Sequence, residues 1–359
     1  MLHSQIKIKI GFILLLTLFL CPRSSFSQNE TCGEFLKLIE KTYNFKPSKL
    51  TSEQKTAKSA EMDAVWEKVK AEKDSLLPCL RAAIRSNETD NFFKFDASNL
   101  LISLDQSDEA KKLLIDAYAK VDLADVHLGY WMPYISLLGF EGFDTSAAGE
   151  NWLKFPDPEY YLPQHGGLPV NKEIGALILY GSMDEKIATP ALVRIISQEN
   201  HPGREIAVLL LMQQATPESF KVLKNISPKN LSESARRKLG DRLERPEVIL
   251  PREGPPKITR EQYLEAFRQL VGGKPQTFLK LTAEIPDGEK DAAAVLKPED
   301  IPLVRKARRY FAAIANPHSA EWYKSFTDIL MSLANKYEDQ EKKEQLNQEK
   351  VENQPTYNY

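Results

Sequence analysis

Leu101-Ile102-Ser103-Leu104, Ser136-Leu137-Leu138-Gly139, Ile178-Leu179-Tyr180-Gly181 and Leu210-Leu211-Met212-Gln213 each close an apolar stretch and precede a short polar turn opening on Asp, Ser or Thr. Their separations are 35, 42 and 32 residues. Periods of this size mark stacked helical hairpins. A hairpin that is apolar on both flanks cannot bury them alone, so its neighbours must stack on it.

Outward from these segments, helical spacing dominates and no sustained strand alternation is flanked by hairpin turns. The spacing predicts helices over 33–43, 52–72, 74–86, 90–104, 108–120, 127–139, 171–182, 185–198, 203–214, 217–226 and 232–244. Start signals support several of them. Thr51 with Gln54 and Thr259 with Gln262 fit the capping box, and Thr216-Pro217 and Asn316-Pro317 place a cap before a proline suited to a first turn. The expected fold is all-α, an α-α superhelix with a C-terminal helical region.

Ala188-Thr189-Pro190-Ala191-Leu192-Val193-Arg194-Ile195-Ile196, followed by His201-Pro202 and then Arg204-Glu205-Ile206-Ala207-Val208-Leu209-Leu210, resembles a HEAT repeat. In that family a proline commonly bends one helix and an arginine opens the next. Asp96-Ala97 through Leu100, Leu104, Ala110 and Leu114 is similar. The likeness is good over 170–226, fair over 90–120 and covers about half the chain. Gln213 and Gln214 depart from it where the pattern favours a small residue, and the unit holding Trp152 to Asn171 is swollen. The resemblance to the HEAT/armadillo class implies a curved α-solenoid of degenerate hairpins with a concave binding face, and it implies no single ligand.

Prolines at 246, 251, 255 and 256 with Gly254 exclude a regular helix and suggest a linker. Beyond it, 260–271, 276–283, 300–315 and 318–338 form a second helical region, in which Val304, Ala307, Phe311 and Ile314 recur at helical spacing. The expected division is a cleaved signal peptide over 1–27, a repeat domain over 28–245, a linker over 246–258, a C-terminal helical region over 259–338 and a charged tail over 339–359.

The signal reading rests on Lys7 and Lys9, an apolar run from Ile10 to Leu20, and Ser25-Phe26-Ser27 before Gln28. That run of 11 residues is too short to span a membrane. Cleavage after Ser27 leaves 332 residues with 45 basic and 50 acidic side chains, a mildly acidic exported chain, periplasmic or extracellular. Its two cysteines, Cys32 and Cys79, are then a candidate disulfide. Closing that 48-residue loop would stabilise the fold by roughly 4 kcal/mol on the chain-entropy account. Sequons stand at Asn29, Asn87, Asn225 and Asn230.

No motif nominates a catalytic group, a metal or a cofactor. His127, His165, His201 and His318 form no i, i+4 pair and have no cysteine nearby to complete a zinc set. Ser52-Glu53-Gln54-Lys55 matches a Ser-x-x-Lys string, but it falls where a helix needs a cap, and no Lys-Thr-Gly follows. Gly272-Gly273-Lys274-Pro275 lacks phosphate-loop spacing. Two basic clusters, Arg236-Arg237-Lys238 with Arg242 and Arg245, and Arg305-Lys306 with Arg308-Arg309, sit beside acids, as solvated faces or helix-to-helix ion pairs do; an anionic partner is the rival reading.

The swollen unit carries the densest aromatic set: Tyr130, Trp131, Tyr134, Trp152, Tyr160, Tyr161 and His165, with two of the four tryptophans. Tyr and Trp give contact area at low entropy cost and keep a polar tip, which suits a recognition surface. Rings that plug the gap left by an irregular repeat are the plainer reading. The sequence thus points to a helical-repeat scaffold that binds a protein or peptide. A glycan- or envelope-polymer-binding protein using residues 130–165 is the alternative, and a hydrolase with a dispersed site comes third. No nucleic-acid role and no membrane span beyond the signal segment is expected.

Overall fold

Three helix starts are fixed by side chains that take up otherwise unpaired backbone donors. The Thr51 hydroxyl accepts from Gln54 N at 3.3 Å while the Gln54 amide oxygen accepts from Thr51 N at 2.9 Å. Thr259 with Gln262 forms the same reciprocal cap, and Thr216 with Ser219 forms it ahead of Pro217. The computed structural model describes residues 33–34, 37, 51–86, 91–121, 132–155, 160–162, 168–229, 231–244, 254–283, 288–314 and 323–336. The expected signal peptide, Cys32, the core of the proline-rich segment and the charged tail lie outside them.

Two compact units divide the chain, Met1–Ala117 and Tyr118–Tyr359. In the first, α1 (Ser52–Ala71), α2 (Lys73–Arg85), α3 (Asn91–Leu104) and the start of α4 (Asp108–Lys120) are helical. Val69, Leu76, Leu80, Ala97 and Leu101 form its core, and buried Cys79 belongs to it. An Arg81–Asp105 ion pair ties α2 to the end of α3. The Ser107 backbone and hydroxyl, followed by Arg81, hold the Asp105 carboxyl below its ordinary range against the cost of burial.

The second unit holds α5 (Met132–Phe140), α6 (Ser146–Lys154), α7 (Lys172–Ser182), α8 (Glu185–Ser197), α9 (Arg204–Gln214), α10 (Pro217–Leu223) and α11 (Glu233–Glu244). Helices α5, α7, α9 and α11 lie side by side in that order, and α6, α8 and α10 form a second row. Each helix therefore packs beside the one two places earlier. Among the described residues the exception to helix is a two-stranded antiparallel ribbon, β1 (Tyr160–Leu162) with β2 (Leu168–Val170), in the swollen unit. Helix α6 was also not anticipated: Gly149 lowers its helical propensity in mid-helix, and packing against α7 offsets that cost.

That packing is reciprocal. A Cβ on Gly175 of α7 would lie 2.3 Å from the Trp152 ring of α6, and a Cβ on Gly149 of α6 would lie 2.5 Å from the Tyr180 ring of α7. Each glycine receives the large ring of the opposite helix. The two rings are anchored at their polar ends, Trp152 Nε1 donating to Lys172 O at 2.9 Å and the Tyr180 hydroxyl to Ser146 O at 3.2 Å. Burial pushes the Tyr180 phenol well above its ordinary pKa.

Past the proline-rich segment the chain forms α12 (Arg260–Val271), α13 (Pro275–Ala283), α14 (Gly288–Val295), α15 (Ile301–Ala313) and α16 (323–336). Phe267, Phe278, Phe311 and Phe326 make an aromatic core with ring centroids 5.5 to 6.1 Å apart. This region belongs to the same compact unit as α5–α11, so the units divide near residue 117 and not at the prolines. The physical reason is α15, which packs against α5 and α7. Ser136 Oγ of α5 donates to Ala313 O at 2.8 Å, and Phe140 meets Tyr310 edge-on at 5.2 Å. The end of the expected linker is itself pinned: buried Asp291 accepts from Lys257 N and Ile258 N at 2.9 and 3.2 Å.

Candidate functional site

Three surfaces of the second unit come into question. Helix α5 is apolar along most of its length, and Met132, Ile135, Ser136, Leu138 and Gly139 are buried. Tyr134 and Leu137 point the other way. They are the large apolar side chains standing exposed among the described residues, at 47% and 36%, and three positions apart they share one helix face. The lone exposed leucine is ordinary; an exposed aromatic beside it is less so.

The second surface is a groove of about 570 Å³ where α16 runs past the first row of helices. Leu209, Met212 and Gln213 of α9 line it together with Glu173 at the start of α7, Lys238, Asp241 and Arg242 of α11, and Lys324, Thr327 and Asp328 of α16. Arg242 is already engaged, donating to Met212 O at 3.3 Å and lying 5.9 Å from the Phe220 ring. The third surface is a groove of about 440 Å³ between the ends of α8 and α10, bordered by Val193, Ile196, Glu199, Lys221, Val222 and Asn225. Arg204 lies at its base as a fixture, since the buried guanidinium donates to Ile196 O, Lys229 O and Ser227 O at 2.9, 2.6 and 3.0 Å.

The aromatic candidates separate in the structure. Tyr134 is exposed, and its helix presents it to solvent. Trp152 corrects the sequence expectation: it is fully buried, its ring faces Gly175 and its Nε1 is bonded to backbone, so it is a core residue and offers no binding face. Tyr160 and Tyr161 are in β1, paired with Val170 and Pro169. Tyr130, Trp131 and His165 lie outside the described residues.

The basic clusters also part company. Arg236, Arg237 and Lys238 are exposed on α11. Arg305, Arg308 and Arg309 of α15 face inward: Arg308 and Arg305 reach Glu185 Oε1 at 2.6 and 3.5 Å, and Arg309 reaches Asp184 at 2.7 Å. Arg305 and Arg308 also donate to the carbonyls of Gln213, Gln214 and Ala215 at the end of α9, where a helix leaves acceptors unpaired. Burial draws the Arg305 guanidinium below its ordinary pKa, with Glu185 opposing. This cluster is a structural clasp.

The sequence reading gave no role to Gln213 or Gln214. Gln214 Oε1 accepts from Thr189 Oγ1 at 2.6 Å, tying α9 to α8. Gln213 Oε1 is buried without a hydrogen bond partner among the described residues. The departure of both from the small residue favoured by the repeat pattern was the available signal.

His201 is held in the turn before α9, its Nδ1 accepting from Gly203 N at 3.0 Å, and burial lowers its pKa. No group of three or more His, Cys, Asp or Glu positioned to hold a metal ion occurs among the described residues. None of the described helices is long and apolar enough to cross a membrane. No family model, no curated protein and no solved structure matches the chain.

Proposed function

We propose that the chain is an exported helical scaffold of stacked, HEAT-like hairpins that binds a protein partner. The observation that carries the reading is the exposed pair Tyr134 and Leu137 on α5, a helix otherwise buried in the first row. Tyrosine is enriched among the residues that carry binding energy at protein contacts, and Leu137 extends the apolar surface of the same rigid helix face. The stepwise packing of α5, α7, α9 and α11 beside α6, α8 and α10 supports the repeat reading, because neighbour-on-neighbour stacking is how such hairpins bury both flanks. Export and a Cys32–Cys79 bridge belong to the same proposal, resting on the N-terminal pattern and on the buried position of Cys79 in the core of the first unit.

A photo-cross-linking residue placed at 134 or 137 tests the function. A discrete adduct with one protein of the native compartment, absent when the same probe sits at exposed Glu218 of α10, is the expected result. No adduct from either α5 position overturns the reading.

A further inference from the structure

The groove beside α16 has a property that packing alone does not explain. Gln213 is half-buried on α9, lines the groove, and keeps its side-chain oxygen buried with no donor among the described residues. Its backbone is fully used, since its carbonyl accepts from Arg308 at 2.7 Å and from Thr327 at 3.0 Å. The α-carbon is thereby fixed while the amide end is left over. A buried acceptor without a donor costs more than an apolar group of the same shape in the same place. Leucine or methionine would fill the position at less cost, and the neighbouring Gln214 shows that an amide here can be satisfied.

We propose that this groove binds an extended peptide segment, with Gln213 as the group that receives a backbone N–H from it. A turn about the Gln213 side-chain torsions carries the oxygen from its buried position into the groove, exchanging an unsatisfied acceptor for a satisfied one. Leu209 and Met212 supply an apolar floor for one side chain of the peptide, and methionine adapts its shape to varied occupants. The rim carries both signs: Lys238 and Lys324 stand exposed on α11 and α16, and Glu173 and Asp241 on α7 and α11. A single ionic headgroup would meet repulsion from half of that rim, whereas a peptide with an apolar residue flanked by opposite charges matches it. The volume of about 570 Å³ lies within the range of specific ligand clefts. This site is separate from the Tyr134 face and stands independently of it.

The test is selection of displayed random octapeptides on the intact chain, followed by titration of a selected peptide against variants. The proposal expects enrichment of sequences with a central apolar residue between charges. It expects Gln213→Met to weaken binding about tenfold or more while the Tm stays level or rises, because the variant removes an unpaired buried acceptor. Lys238→Glu and Lys324→Glu, on exposed positions that leave the fold intact, should also weaken binding of the selected peptide. Absence of enrichment overturns the proposal. So does a peptide whose affinity ignores Gln213→Met and the rim variants, and one lost instead on Tyr134→Ala assigns binding to α5 while leaving the scaffold reading in place. A marked fall in Tm for Gln213→Met also overturns it, since the amide would then be serving the fold.

Discussion

Arg308 on α15 is fully buried and donates to Glu185 at the first turn of α8, 2.6 Å away and 123 residues earlier in the chain. The guanidinium lies 4.8 Å from the Tyr323 ring and also bonds the carbonyls of Gln213 and Gln214, so it joins α8, α9, α15 and α16 at one point. A charge in such a place is tolerated only when paired. Arg308→Met leaves Glu185 with the more distant Arg305 at 3.5 Å and takes one donor each from the Gln213 and Gln214 carbonyls, which keep Thr327 and Arg305 respectively. The expected loss is about 3–5 kcal/mol, read by urea denaturation. A loss below about 1 kcal/mol would show that the clasp is dispensable.

The two rings of the swollen unit should respond in opposite ways. Trp152→Ala removes a fully buried ring and is expected to cost about 3–5 kcal/mol, whereas Tyr134→Ala on the exposed face should leave the Tm within a degree or two. Thermal melts of the two variants side by side decide it, and similar losses would place Tyr134 in the core as well.

Gly175→Ala sets a methyl into the Trp152 ring, where the ideal Cβ falls 2.3 Å from ring carbon. Because Trp152 Nε1, itself 2.7 Å from that Cβ, is hydrogen-bonded to Lys172 O, the ring has little room to retreat. Destabilisation of about 1–3 kcal/mol is expected despite the better helix propensity of alanine. Gly240→Ala on α11, where nothing lies within 4 Å, is the control and should be neutral or stabilising.

Asp300 supplies an acid limb to the stability curve. Burial raises its pKa, but the Arg260 guanidinium at 2.7 and 2.8 Å and the Lys297 backbone N–H overcome this and hold the carboxyl below its ordinary value. A depressed folded pKa means that the unfolded chain takes up protons first. Stability from this group is therefore complete above the unfolded value, about pH 4, and is lost as pH falls from there through the lower folded value. Asp300→Asn should flatten that part of the curve, measured as denaturation midpoint from pH 5 to pH 2; an unchanged acid slope would remove Asp300 from the account.

Under the proposed bridge, the exported chain denatured without reductant should show no reactive thiol from Cys32 or Cys79, and should show two after reduction. Maleimide labelling with mass analysis reads both states, and labelling before reduction would sink the pairing.

Much of the helical plan was legible before any coordinates. The Thr51, Thr216 and Thr259 caps predicted their helices because capping is a contact between residues three apart, and the apolar runs ending at Leu104, Gly139, Gly181 and Gln213 marked four helix ends within a residue or so. Helix α6, the β1–β2 ribbon and α14 were not legible. Gly149 weakens the local helical signal of α6, and the packing that offsets it, with Trp152 and Leu153 buried and the Tyr180 ring seated on Gly149, comes from a helix about thirty residues on.

What the sequence determined by itself is therefore local: which stretches are helical, where they start, and that their apolar flanks require neighbours. The tertiary structure alone decided which neighbours. Periodicity identified Arg305, Arg308 and Arg309 as a helical basic cluster, yet their meaning depends on Asp184 and Glu185 more than 100 residues away. Aromatic density likewise grouped Trp152 with Tyr134, although one is enclosed by α7 and the other faces water. Side-chain burial is a property of the surfaces that meet, and spacing along one chain segment carries no record of the partner that covers it.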